Sequence, residues 1–177
     1  MEFTQTKVNG AYLVRMKRIE DHRGFFARGW CGLEFARNGL NPNLVQMNVA
    51  HNVKKGTLRG LHFQLQPFQE AKSVRCARGA IYDVIVDLRP DSSTHKQWFG
   101  VELTAHEGAM LYVPEGCAHG YQTLTDEADM YYLTSNAYEP TAAKGIRFDD
   151  PAFGIEWPLP VSAISEADQK WPWYGVG

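Results

Sequence analysis

Short strand-like runs, broken at regular intervals by turn residues, constrain this chain more than any other feature. The runs are Ala11 to Met16, Leu44 to Ala50, Thr57 to Leu65, Ser73 to Ala77, Ala80 to Leu88, Gln97 to Leu103, Ala109 to Val113, His119 to Leu124 and Asp129 to Ser135. Arg78-Gly79, Arg89-Pro90-Asp91-Ser92-Ser93, His106-Glu107-Gly108 and Pro114-Glu115-Gly116 punctuate them, at roughly the 8 to 12 residue spacing of sandwiches and barrels. Within Gln97–Leu103, Phe99, Val101 and Leu103 alternate with more polar neighbours, as half-buried strands do. The pattern predicts an all-β double sheet. Helical signal is confined to Gly32–Asn38, stopped at Asn38-Gly39, and to a short piece that Ser165 can cap.

A chain of 177 residues fits one domain, 1–177, with a Trp- and Pro-rich tail from about Pro151 expected to pack back on the barrel. Hydrophobic residues at 44%, charged residues at 21% and a net charge of −2 exclude a disordered chain and offer no electrostatic case for nucleic acid. Cys31, Cys76 and Cys117 are odd in number and form no CxxC pair. They read as reduced thiols rather than a disulfide framework or zinc knuckle. No apolar run approaches the ~18 residues of a membrane span, and Met1-Glu2-Phe3-Thr4-Gln5 starts no signal peptide. No membrane partner is expected, and the default location is the cytoplasm.

The run Leu58-Arg59-Gly60-Leu61-His62-Phe63-Gln64, followed by Lys72-Ser73-Val74-Arg75-Cys76, places an imidazole, a guanidinium and an ammonium on two strand-like segments. Alternation puts Gly60, His62 and Gln64 on one face and Leu61 and Phe63 on the other. An inward polar stripe suits a ligand cavity better than a solid core. His62 and His119 sit in or at the start of strands, where the competing reading is a satisfied core histidine; His22, His95 and His106 lie in turn-like polar contexts and read as solvated. A metal-binding barrel needs several imidazoles and a carboxylate converging on one ion. Gln64 stands where a His-x-His pair would place its second histidine, and Glu70 with His119 would complete only an unusual site. No metal is therefore expected.

Asp21-His22-Arg23-Gly24-Phe25-Phe26, Leu58 to Gln64, Lys72 to Cys76, Pro114-Glu115-Gly116-Cys117-Ala118-His119-Gly120 and Gly154-Ile155-Glu156-Trp157-Pro158 occur in order. Together they resemble the dTDP-4-dehydrorhamnose 3,5-epimerase family of sugar-nucleotide epimerases, from about residue 5 to 170. The resemblance implies a cupin-type double-stranded β-helix, or jelly roll, with short peripheral helices. It also implies a homodimer that binds a nucleotide-diphosphate sugar and needs neither metal nor cofactor. It assigns His62 as general base, Asp168 as the carboxylate orienting it, Tyr132 as the acid on the opposite face and Lys72 as the cation beside the C4 oxygen. Arg23, Gln46, Asn48, Arg59 and His119 align with substrate contacts, Phe26 with an aromatic that packs on the base, and Tyr138 with a substrate-binding aromatic.

Inverting a carbon beside a ketone requires removing its proton to give an enolate and returning a proton from the other face. A histidine, with an unperturbed pKa near 6.5, suits the first step, and a phenol the second. General acid–base catalysis supplies ~10²–10⁴-fold while enzymes reach at least ~10⁶-fold, so enolate charge must also be stabilised. Lys72 is the candidate, whereas Arg59 and Arg23 have the forked donors that suit a diphosphate. Tyr131 and Tyr138 compete with Tyr132 for the acid role, and the family register on Asn136 and Pro140 selects Tyr132. The chain departs from the family pattern at Arg28, usually glutamate; Leu133, often lysine; Ala137, usually tyrosine; and Ala167, usually lysine. The proton-transfer set is intact and the recognition set altered. This leaves open the base (thymine, cytosine, uracil or guanine) and the inverted centre, C3, C5 or both. A mono-epimerase of a CDP- or GDP-sugar, a non-catalytic sugar-nucleotide binder and a metal-dependent cupin are the competing readings.

Overall fold

The computed structural model describes residues 1–175. In chain order its strands begin β1 (Glu2–Gln5), β2 (Tyr12–Arg15), β3 (Arg18–Asp21) and β4 (Gly24–Ala27), followed by helix α1 (Gly32–Arg37). Then come β5 (Gln46–Asn52), β6 (Leu58–Gln64), β7 (Lys72–Arg78), β8 (Ala80–Asp87) and β9 (Trp98–Thr104). The chain continues through β10 (Met110–Val113), β11 (Cys117–Thr123), β12 (Ala128–Thr134) and β13 (Ala143–Gly145) to α2 (Glu166–Lys170). One sheet is ordered β1-β2-β10-β7-β12-β5, the other β13-β6-β11-β8-β9, and β3-β4 forms a separate hairpin. All these strands pair antiparallel, as a jelly roll requires.

Each expected strand is present within a few residues. β8 shows why its run, Ala80-Ile81-Tyr82-Asp83-Val84-Ile85-Val86-Asp87, reads as almost continuously apolar. Ile81 and Ile85 point between the sheets, against Val74, Leu103, Leu111 and Met130. Val84 and Val86 point the other way, under Phe153, Ile155 and Trp157 of the C-terminal tail. Both faces are covered, and the tail packs back as expected. At roughly 1.5–3 kcal/mol for each fully buried aliphatic or aromatic side chain, these two layers hold the barrel closed.

α1 and α2 also fall where expected. Phe35 anchors α1 by burying its ring among Phe3, Trp30 and Tyr112. Four strands have no counterpart in the sequence reading. β1 is mostly polar and exposed, β3 and β4 form the outlying hairpin, and β13 is three residues long. None has the alternation that burial on one face imposes. His95 needs a correction: instead of being solvated, its Nε2 lies 2.9 Å from the Tyr174 hydroxyl, with the two rings in edge contact. His22 and His106 are exposed. Among the described residues no helix is long and apolar enough to cross a membrane.

The loop from β8 to β9 is tied down by one fully buried carboxylate. Asp87 accepts hydrogen bonds from Arg89 Nε (2.8 Å) and Nη2 (2.7 Å), Ser92 Oγ (2.6 Å) and Thr94 Oγ1 (2.7 Å). Burial pushes this carboxyl up, but the four donors outweigh it and hold the pKa at about 2. The folded value is thus depressed. Its stabilisation is present above the unfolded value near 3.9 and is lost as pH falls through the folded value. Replacing Asp87→Asn is expected to cost about 2 kcal/mol near neutral pH, a deficit that shrinks between about pH 4 and pH 2 in urea unfolding.

Candidate active site

The site begins with a close approach of two backbones. Gly60 on β6 has φ +109°, and a Cβ there would lie 2.6 Å from Gly120 Cα and 2.7 Å from the His119 carbonyl oxygen on β11. No other residue tolerates that conformation and that contact together. The pairing register shifts at this point: His119 stands opposite His62, but Tyr121 stands opposite Arg59. Strict alternation would send Arg59 and His62, three residues apart, to opposite faces. Instead both line one recess, so the expected stripe of Gly60, His62 and Gln64 is corrected to one that includes Arg59.

His62 Nε2 lies 2.6 Å from Asp168 Oδ1, and the imidazole side chain is 45% exposed while the carboxylate is 7% exposed. Helix α2 delivers that carboxylate. Ser165 Oγ accepts from the Asp168 backbone N–H at 3.0 Å and so caps the first turn. Asp168 also accepts from Gly60 N (3.3 Å) and the Trp171 indole N–H (3.2 Å), whose ring stands edge-on to His62. Burial alone would raise the Asp168 carboxyl, but the hydrogen bond and charge of His62, with the Gly60 and Trp171 donors, hold it below the usual carboxylate range. An ionised carboxylate only accepts, so Nε2 carries a proton, and in the neutral ring the lone pair is on Nδ1.

A cavity of about 500 Å³ opens beside this pair, bounded by His62 and Gln64 of one sheet and Gln46, Asn48, Lys72 and Tyr132 of the other. A smaller recess of about 150 Å³ is lined by Arg59, His119 and Tyr121 and shares His62, Lys72 and Tyr132 with the first. Lys72 Nζ lies 3.3 Å from the His62 carbonyl oxygen and 3.2 Å from Glu70 Oε1. Tyr132 is pushed above the ordinary phenol value by burial first and by Glu70 second, so its proton stays in place. Tyr131 faces the other way, its hydroxyl accepting from Arg75 Nη1 at 3.2 Å. Tyr138 sits at the rim, 60% exposed, with its backbone N–H on Gln46 Oε1.

Arg59 Nε donates to Asn52 Oδ1 at 2.8 Å, and Gln46 Nε2 to Asn48 Oδ1 at 2.9 Å. His119 is 6% exposed and bonds Asp83 at 2.7 Å. Arg23 and Phe26 are not brought to this cavity within the chain: Arg23 pairs with Asp21 on the hairpin turn, and Phe26 is 74% exposed. Among the altered positions, Arg28 pairs with Glu34 at 2.7 Å, and Ala167 lines a groove of about 480 Å³ behind the pair, beside Arg59. Sequence reasoning missed Asp83, Trp171 and Lys144 as wall or support residues. Asp83 did leave a signal, an acid inside the apolar run of β8. Gln64 gives its amide to Phe68 O, Glu70 Oε2 and Ala137 O and takes the Glu139 N–H. Its polar atoms are satisfied by protein groups, and among the described residues no cluster of three or more His, Cys, Asp or Glu side chains could hold a metal.

An imidazole and a phenol carried by opposite sheets, with a lysine on the shared wall, are an arrangement able to move protons on both sides of a bound ring, and the fold around them is that of a cupin-type isomerase. The chain belongs to the dTDP-4-dehydrorhamnose 3,5-epimerase family, whose sequence profile matches residues 5–175. A Sinorhizobium fredii dTDP-4-dehydrorhamnose 3,5-epimerase is 39% identical over 173 residues, 97% of this chain and 89% of that protein. The crystal structure of the Elizabethkingia anophelis dTDP-4-dehydrorhamnose 3,5-epimerase superposes with a TM-score of 0.95 at 34% identity, covering 98% of this chain and 96% of that one. The Bacillus anthracis enzyme of the same name, solved with TDP and PPi bound, gives 0.93 at 36% identity, covering 97% and 98%.

Because Gly60 sets the wall geometry, Gly60→Ala should cost at least about 2 kcal/mol from positive φ and overpacking. In a chain of this size that lowers the melting temperature by roughly 4–8 °C. A melting temperature within 1 °C of wild type would show that β6 and β11 do not need this approach.

Proposed function

We propose that this protein epimerises C3, C5 or both of a nucleotide-linked 4-keto-6-deoxyhexose by proton abstraction and reprotonation from opposite faces. One observation carries the reading: His62, backed by Asp168, and Tyr132, from the other sheet, share the wall of one polar cavity. His62 Nδ1 takes the proton beside the ketone, and the imidazolium formed is stabilised by Asp168. The enolate oxygen lies against the Lys72 ammonium, and Tyr132 returns a proton to the other face of the ring. Gln46, Asn48, Arg59, His119 and Tyr138 bind the rest of the substrate.

Arg23 and Phe26 complete the site in a homodimer, each supplied by a second copy. Supporting this, Ile19, Phe25 and Phe26 on the β3-β4 hairpin are 68%, 51% and 74% exposed, and Met47, Val49 and Val53 along the unpaired edge at β5 are 55%, 71% and 60% exposed. Contiguous apolar surface and an open strand edge are what a folded chain normally covers. The free thiols Cys31, Cys76 and Cys117 fit a reducing compartment, and the proposed location is the cytoplasm.

Incubated in D₂O with dTDP- and CDP-4-keto-6-deoxyglucose, the wild type should place deuterium at C3, C5 or both. His62→Ala and Tyr132→Phe should each lower incorporation by ~10²–10⁴-fold. Nucleotide-dependent thermal stabilisation without exchange from any substrate would favour a binding module instead. For the assembly, Val49→Asp should convert a dimer to a monomer in light scattering and weaken the thermal shift given by dTDP; a variant that stays dimeric would place the interface elsewhere.

A further inference from the structure

Glu70 stands just before β7 with its side chain 9% exposed, on the wall of the main cavity. Its Oε1 lies 3.2 Å from Lys72 Nζ, and its Oε2 accepts from Gln64 Nε2 at 2.6 Å. Gln64 is itself fixed, because its Oε1 takes the Glu139 backbone N–H at 2.6 Å. The carboxylate is therefore held at both oxygens. Lys72 is equally enclosed, at 8% exposure. Removing either charge from such a pair leaves the other desolvated and uncompensated, which a protein avoids.

The number of donors makes the arrangement directional. A lysine ammonium has three N–H groups on a flexible four-carbon stem. One is given to the His62 carbonyl oxygen and one to Glu70, which leaves one for the cavity. Without Glu70 the ammonium could rotate or retract among several acceptors; with it, the free N–H has one direction.

We propose that Glu70 is a positioning residue that acts through Lys72, aiming its remaining N–H at the C4 oxygen where enolate charge develops. The inference rests on the epimerase reading of this cavity. Glu70 has a second effect on the same chemistry, since its charge adds to burial in keeping the Tyr132 phenol protonated.

The test is a double-mutant cycle on deuterium wash-in at C3 and C5 of dTDP-4-keto-6-deoxyglucose, with kcat and KM measured separately. Glu70→Gln should lower kcat by about 10- to 100-fold with KM changed by less than about 3-fold, since the loss is one of aim rather than of binding. Glu70→Asp should recover part of it. In a Lys72→Met background Glu70→Gln should lower kcat by no more than about 3-fold, because groups acting as one unit are not additive. An unchanged kcat in Glu70→Gln, or an equal loss in the Lys72→Met background, overturns the proposal. Thermal melting checks each variant, and if Glu70→Gln does not fold, Glu70→Asp in both backgrounds closes the cycle. A wild type that exchanges no proton overturns the epimerase reading and this inference with it, an outcome distinct from failure of the cycle alone.

Discussion

Gly60 and Gly120 approach so closely that a methyl group on the first would meet the backbone of the second, and one on Gly120 would lie 2.7 Å from the Arg59 carbonyl oxygen. The consequence extends beyond that contact. It shifts the β6–β11 register between His119 and Tyr121, so that β6 presents Arg59 and His62 to one recess. It also turns the Gly60 N–H toward the Asp168 carboxylate that α2 brings in. Side chains larger than hydrogen at these two positions would separate the strands, and the imidazole, the guanidinium and the carboxylate would lose their common reference. Strand spacing, normally uniform in a sheet, is here the variable that sets the site.

A cavity between two sheets exposes polar groups in a place that would otherwise be core, and each must be satisfied without filling the space. The solution is a wall in which polar side chains are bonded sideways, to protein. Gln64 holds β6 to the segments carrying Phe68 and Ala137; Glu70 holds Lys72; Asp168 holds His62. The groups facing the cavity are thereby fixed before any ligand enters. Fixed dipoles and charges need no reorganisation when charge develops, which is where an enclosed site gains most over water. The apolar layer beyond, with Val74, Ile85, Leu111 and Met130 at zero exposure, gives these bonds a rigid base.

Burial on one face or both was legible in the sequence, because it writes a period into the residues. β8, β9 and β12 follow from alternation and turn residues, and α2 from Ser165 with the acids after it. The hairpin β3-β4 has no such period, since it is exposed on both faces. Within the site, residue types on the strand-like runs pointed to His62 and Lys72, while Tyr132 was chosen over Tyr131 and Tyr138 only through the resemblance. The bond between His62 and Asp168, 106 positions apart, entered only through the resemblance, as did the place of Arg59 beside His62, which strand alternation contradicts. It depends on a break in alternation that a glycine permits but does not require. Glu70 was weighed as a metal ligand, although its neighbour Lys72 is the partner that a lone carboxylate beside a buried cation would favour.

The sheets and the loops also divide the positions that bear on the site. Tyr132 and Lys72 stand on strands of one sheet and His62 on a strand of the other, and packed sheets lie ~10 Å apart, a span suited to a hexose ring with one proton carrier on each face. Changing any of those positions would disturb both packing and chemistry. Arg28, Ala137 and Ala167 lie instead on the segment after β4, on the loop after β12 and on α2. A substitution there leaves the strands in place, because loops and peripheral helices are fixed by fewer contacts. Leu133 lies on β12 between Tyr132 and Thr134, both of which line the cavity, so alternation turns it to the other face. Gln46, Asn48, Arg59 and His119, beside the proton-transfer groups in the two recesses, stand on β5, β6 and β11, so the same two sheets frame the whole cavity.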